Sequence, residues 1–172
     1  MKFDLEEKAS LLRDSVFAAS DGIVTTFAVV AGSAGASLSS NIVLILGFAN
    51  LFADSFSMGA GNYLGTKSEL EYEKASGNHH DGQASPAIQG IFTFIAFNIA
   101  GLIPLFPYVL DLRGKFVISI VMVALALFSI GAYRSKFIKR NWIRSGMEML
   151  LTGGTAATVA YITGELLKGI VG

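Results

Sequence analysis

Long apolar runs separated by short polar links set the first reading of the chain. In the opening stretch MKFDLEEKASLLRD and just beyond it, Leu5, Ala9, Leu12 and Val16 fall at helical spacing with charges between them. That is the pattern of a short amphipathic helix lying on a membrane surface and leading inward. Acids outnumber bases there and no small-residue cleavage motif closes a short apolar core, so the segment is expected to remain rather than act as a cleaved signal. Apolar runs follow at about 15–36 and 41–65, joined by the tight link SLSS, and then at about 87–110, 116–133 and 145–167. At 1.5 Å per helical residue, such runs approach or exceed the roughly 30 Å of a hydrocarbon core. The pattern predicts an all-α integral membrane protein, one domain over 1–172 with five transmembrane helices and a short cytoplasmic loop at 66–86. Pro104 and Pro107 predict a kink or an end in the third span. The fourth run, VISIVMVALALFSIGAY, has almost no polar feature and is expected to face lipid.

Composition agrees with the pattern. Hydrophobic residues make up 52% of the 172 and charged residues 15%, with a mean hydropathy of +0.57, against about 25% charged in ordinary soluble domains. Net charge is zero and the bases form no aromatic-interleaved face, which argues against nucleic-acid binding. Cysteine is absent, so any metal must be held by oxygen, nitrogen or methionine sulfur. No serine, histidine and acid are spaced to cooperate, so neither an enzyme nor a permanently bound cofactor is expected. The bases also orient the chain. With the N-terminus in the cytosol, the inner segments hold Lys2, Lys8, Arg13, Lys67, Lys74, Arg134, Lys136, Lys139, Arg140 and Arg144, and the outer ones only Arg113, Lys115 and Lys168. That bias predicts N-in and C-out, which requires an odd number of spans.

Two carboxylates, Asp21 and Asp54, fall inside the first two spans, where each costs about 2.5–3.5 kcal/mol at a helix centre on insertion-derived scales. Asp21 in SDG reads as a helix cap or as an intrahelical group. A helix starting at Gly22 would be too short to span, which favours the second reading. On the second span Asn50, Asp54, Met58 and Asn62 recur every fourth residue as one polar stripe, and Ser57, Gly61 and Gly65 form a neighbouring row of small residues expected to pack closely against another helix. Met58 alone reads as core filling. Beside Asp54 and Asp21 it forms with them a candidate metal-binding set, because carboxylate plus thioether suits a borderline cation such as Fe²⁺ or Mn²⁺ better than Mg²⁺ or Ca²⁺. In the 66–86 segment, Glu69, Glu73, His79, His80 and Asp81 offer weaker metal ligands on what reads first as a solvated loop. Glu148 is placed to guide cations at the cytoplasmic mouth or to pair with Arg144 across one turn.

The stretches RDSVFAASDGIVTTFAVVAGSAGAS (13–37) and ADSFSMGAGNYLGTKSELE (53–71) resemble the vacuolar iron transporter family. The resemblance is carried by Arg13, Asp14, Asp21, Gly22, Thr25 and Thr26 in the first span and by Ser57, Met58, Gly61 and Tyr63 in the second. It implies a homodimeric five-span transporter that moves Fe²⁺ and related divalent metals out of the cytosol in exchange for protons, with Asp21 and Met58 lining a pathway near the dimer interface. Two departures stand out: Asn62 occupies a position that is Glu in the family pattern, and the 66–86 segment is too short for the Glu-rich helical domain that eukaryotic members carry there. The expectation is therefore a proton-coupled Fe²⁺ or Mn²⁺ exporter. Two alternatives stay open: a proton-coupled carrier of another solute, and a non-transporting membrane scaffold or regulatory relative. Compact loops and the lack of a targeting segment point to a prokaryotic plasma membrane, with a vacuolar-type membrane as the other setting.

Overall fold

A computed structural model describes residues 5–77 and 85–171. Among them every regular element is helical: α1 (Leu5–Gly35), α2 (Ser40–Ala75), α3 (Pro86–Gly101), a 3₁₀ turn (Ile103–Leu105), α4 (Phe106–Val109), α5 (Lys115–Ile138) and α6 (Trp142–Val171). Three stretches are long and apolar enough to cross a membrane, Lys8–Gly35, Ser40–Ala75 and Lys115–Phe137. α3 is a shorter apolar helix of 16 residues. α6 runs for 30 residues, but Thr152, Gly153, Gly154, Thr155, Thr158 and Thr163 dilute its apolar character.

α1 is the hub and packs against α2, α3, α5 and α6. Its side chains Ile23, Phe27 and Val30 join Leu51 of α2, Phe97 of α3, Leu105 of the 3₁₀ turn and Leu127 of α5 in one buried core. Contacts at the two ends show how the helices alternate. At one end Gln89 of α3 donates to Ser10 of α1 at 3.2 Å and accepts from Thr66 of α2. At the other, Lys115 at the start of α5 donates to Ser40 at 3.0 Å, and Lys168 near the end of α6 donates to Ser37 at 2.8 Å.

Several expectations change. The amphipathic segment and the first span are one uninterrupted helix, because nothing in 5–35 breaks the backbone ladder. Its 31 residues rise about 46 Å, well beyond a hydrocarbon core. α2 likewise continues ten residues past the expected boundary, so 66–75 is helix rather than loop. Both extensions lie at the same end, where α1 begins and α2 finishes. The third run ends as its prolines predict, at Gly101, and the chain turns through the 3₁₀ segment. Proline-rich backbone inside a membrane leaves carbonyls without partners. One of them, that of Pro104, accepts from the fully buried hydroxyl of Ser119 on α5 at 2.8 Å.

Ser119 also corrects the reading of the fourth run as lipid-facing. Ser119, Val123, Leu127 and Ser135 form a buried stripe on α5, while Val117, Val121 and Leu125 on the opposite side are exposed. Hydropathy scores a lipid-facing and a protein-facing apolar residue alike, so only packing separates them. The small row on α2 is corrected too: Ser57, Gly61 and Gly65 are exposed, and a Cβ on Gly61 or Gly65 would meet nothing within 4 Å. The close approach is made one face over, by Gly59, where an added Cβ would lie 2.9 Å from the Gly90 carbonyl of α3, and reciprocally at 2.7 Å.

Candidate functional site

Where α1, α2 and α3 meet near the first end, a layer of polar side chains lies within the bundle. Asp14 is only 9% exposed. Its carboxylate accepts from Arg13 Nε at 2.9 Å and from Asn62 Nδ2 at 3.0 Å. The Asn62 amide also donates to Thr93 Oγ1 at 2.6 Å and, more weakly, to the Gln89 carbonyl at 3.5 Å. The reason for this arrangement is local. Asp14 lies two turns before Asp21 on α1, Asn62 follows Met58 by one turn on α2, and the glycine contact of α2 with α3 brings Thr93 and Gln89 within reach.

Met58 is half-buried against the core. With Asp14, Phe17, Gly61, Asn62 and Thr93 it lines a recess of about 340 Å³. A carboxylate and a thioether therefore share one recess, but the carboxylate is Asp14. Asp21 lies elsewhere, half-buried along a separate cavity of about 700 Å³ between α1, α5 and α6, where Arg134, Met149 and Thr152 are also found. The helix runs unbroken through Asp21, whose carbonyl accepts from Thr25 Oγ1 at 2.9 Å, so the capping alternative is set aside. Asp54 is held by its own helix, accepting from Asn50 Nδ2 at 2.8 Å.

The predicted residues thus fall into three neighbouring groups. Met58 and Asn62 sit in the recess with Asp14, Asn50 and Asp54 form a pair on α2, and Asp21 faces the larger cavity. Among the described residues no three His, Asp or Glu side chains converge within one protomer to hold a cation. Glu69 is exposed and Glu73 half-buried on the extension of α2. His79, His80 and Asp81 lie outside the described residues. Glu148 pairs with Arg144 at 3.6 Å across one turn and with Arg134 at 3.9 Å. Asp14, Gln89 and Thr93 were missing from the sequence-derived set. Asp14 carried two usable signals, its place in the stretch that resembles the family and its seven-residue spacing from Asp21, whereas nothing local marks Thr93 or Gln89.

Comparison with known proteins adds relatives to this geometry. The chain is 29% identical over 224 residues to the vacuolar iron transporter of Toxoplasma gondii, covering 91% of this chain and 74% of that protein. It is 27% identical over 216 residues to vacuolar iron transporter 1 of Arabidopsis thaliana, covering 92% and 86%. A third relative, vacuolar iron transporter homolog 4 of Arabidopsis thaliana, is 26% identical over 168 residues, covering 92% and 85%. The first two alignments are longer than the 172-residue chain itself, so those relatives carry additional residues that it lacks. The VIT family pattern matches residues 12–82 and 75–165, a span that takes in most of α1 through most of α6 and all three groups of site residues, and the chain belongs to the VIT family.

Proposed function

We propose that this membrane protein transports a divalent transition metal, Fe²⁺ and also Mn²⁺, out of the cytosol by exchange for protons. The observation that carries the proposal is the recess in which the Met58 thioether and the Asp14 carboxylate open together, with Asp21 and Asp54 on the same two helices. Thioether sulfur favours borderline over hard cations, and carboxylates supply the charge. Protons compete with metal for the same carboxylate oxygens, which gives exchange its chemical basis. Substrate metal leaving the cytosol would meet Asn62, Met58 and the added Asp14 first and then Asp54 and Asn50, with Asp21 reached from the cavity beside α5 and α6. The names of the relatives support iron as cargo. The relatives belong to a transporter family rather than to an enzyme class.

The reading includes a homodimer and five spans with the N-terminus inside. The open row Ser57, Gly61 and Gly65 on α2 offers a surface on which a second copy can approach closely. A two-fold axis there would duplicate each ligand and supply what one protomer does not gather. The bias of bases toward one end supports N-in and C-out. As to the membrane, the curated relatives bear the name vacuolar, and they give no support to a prokaryotic plasma membrane.

One observation favours a second reading. Asn62 spends its amide on Asp14, Thr93 and Gln89, as a residue would in a bundle merely fastened by hydrogen bonds. Flux into proteoliposomes separates the two. Fe²⁺ and Mn²⁺ uptake is measured with and without a pH gradient for the native chain and for Asp14→Asn, Asp21→Ala and Met58→Ala. Transport predicts gradient-dependent uptake that falls at least about tenfold in the variants, the scale of one lost charge-assisted ligand. Folded native protein with no metal flux would leave the fastening role alone.

A further inference from the structure

The turn between α5 and α6 carries charge that the metal pathway does not use. Arg134 and Arg144 are both engaged by Glu148. Lys136, Lys139 and Arg140 are exposed, and among the described residues none of them makes an ion pair or a side-chain hydrogen bond. Their one side-chain interaction among the described residues is a cation–ring contact, the Lys136 ammonium 5.9 Å from the Tyr133 ring centroid. The chain reverses there through Lys139, whose left-handed backbone (φ 50) ends α5. These three cations rim a groove of about 730 Å³ whose wall includes Phe128, Tyr133 and Trp142. Trp142 meets Phe128 edge to face at 6.0 Å, which fixes that wall. Arg140 also borders a small polar recess at the start of α6, about 240 Å³, shared with Glu148 and with Ser145, whose buried hydroxyl has no partner among the described residues.

An aromatic wall on a membrane-length helix, topped by three unclaimed cations, matches a molecule with an anionic head and an apolar tail. We propose that this groove binds an anionic phospholipid. Its phosphate would lie among Lys136, Lys139 and Arg140, and one acyl chain would run along Phe128, Tyr133 and Trp142. A free phosphate would satisfy the cations but leave the wall without a partner, and a zwitterionic lipid would fill the wall but bring its own cation to the rim. Basic clusters next to a membrane helix gain several-fold in anionic-lipid affinity per residue, and tryptophan favours the interfacial depth this requires. The site is separate from the residues assigned to metal and stands whether or not they carry it.

Trp142 is the sole tryptophan, so its fluorescence reports this groove alone. The detergent-solubilised full chain is titrated with phosphatidylglycerol or phosphatidylcholine bearing brominated acyl chains, which quench on contact. Phosphatidylglycerol is expected to reach half-quenching at a mole fraction at least about tenfold lower, the combined effect of the rim cations. The double variant Lys139→Gln/Arg140→Gln is expected to bring the two curves together, while Arg113→Gln, at the other end of α5, keeps them apart. Millimolar inorganic phosphate is expected to leave the phosphatidylglycerol curve in place. Equal quenching by both lipids on the native chain overturns the proposal, as does displacement by inorganic phosphate, which would make this a free-anion site.

Discussion

Asn62 shows what one amide can do that a carboxylate at the same position could not. Its nitrogen donates toward the buried Asp14 carboxylate at 3.0 Å, whereas an ionised acid there would only accept and would face Asp14 as a like charge. Asn62 is therefore paired with a partner, and the carboxylate beside Met58 comes from α1. Met58 is where packing and chemistry can be separated. Met58→Leu keeps volume and apolar character, and swaps of this kind cost less than about 1.5 kcal/mol. The thermal midpoint in detergent is expected to stay close to the native value while Fe²⁺ flux falls at least about tenfold. Unchanged flux would mean that the sulfur only fills space. The fourfold spacing of Asn50, Asp54, Met58 and Asn62 was legible in the sequence because it lies on one helix. Asp14 was not, because its burial comes from α2 and α3, and in the sequence it reads as half of an Arg-Asp pair.

At the scale of elements, α2 presents two rows of small residues and uses only one of them within the protomer. Gly59 meets Gly90 of α3 backbone to backbone, whereas Gly61 stands open. Alanine substitutions are therefore expected to differ in sign. Gly90→Ala forces a Cβ to within 2.7 Å of the Gly59 carbonyl, an overpacking that costs about 1–3 kcal/mol. Within one protomer Gly61→Ala meets no atom and gains up to about 1 kcal/mol of helix propensity, a gain that holds only if no second copy packs on this row. Thermal unfolding of the two variants side by side checks this: an unaffected Gly90→Ala would show that the α2–α3 contact is looser than described, and destabilisation by Gly61→Ala as well would show that a second copy packs on that row. Sequence spacing named one small row on the right helix but not the one that meets α3 within the protomer, since both rows obey the same period and only the position of α3 chooses between them.

For the whole molecule, the contacts at the two ends give an ordering that basic residues alone only implied. Ser10, Thr66 and Gln89 meet at one end, and Ser37, Ser40, Lys115 and Lys168 at the other. The native chain has no cysteine, so single cysteines can map the membrane sides without background. With the N-terminus inside, Ser76→Cys and Lys139→Cys are expected to react with an impermeant thiol reagent only from the cytosolic side, and Arg113→Cys only from the opposite side. Labelling of Ser76→Cys and Arg113→Cys from the same side would break the five-span reading. The sequence by itself determined that the chain is helical and membrane-embedded, where its prolines end a helix, and which residues of α2 share a stripe. These follow from composition, from fixed backbone geometry and from the 3.6-residue period, all of which are local. Tertiary structure alone decided that Asp14 joins Met58 while Asp21 faces another cavity, that Gly59 rather than Gly61 packs, and that α5 buries one side against α1 and α6. Those outcomes depend on which helix lies beside which, and residues far apart in the chain carry no local mark of the neighbour that will bury them.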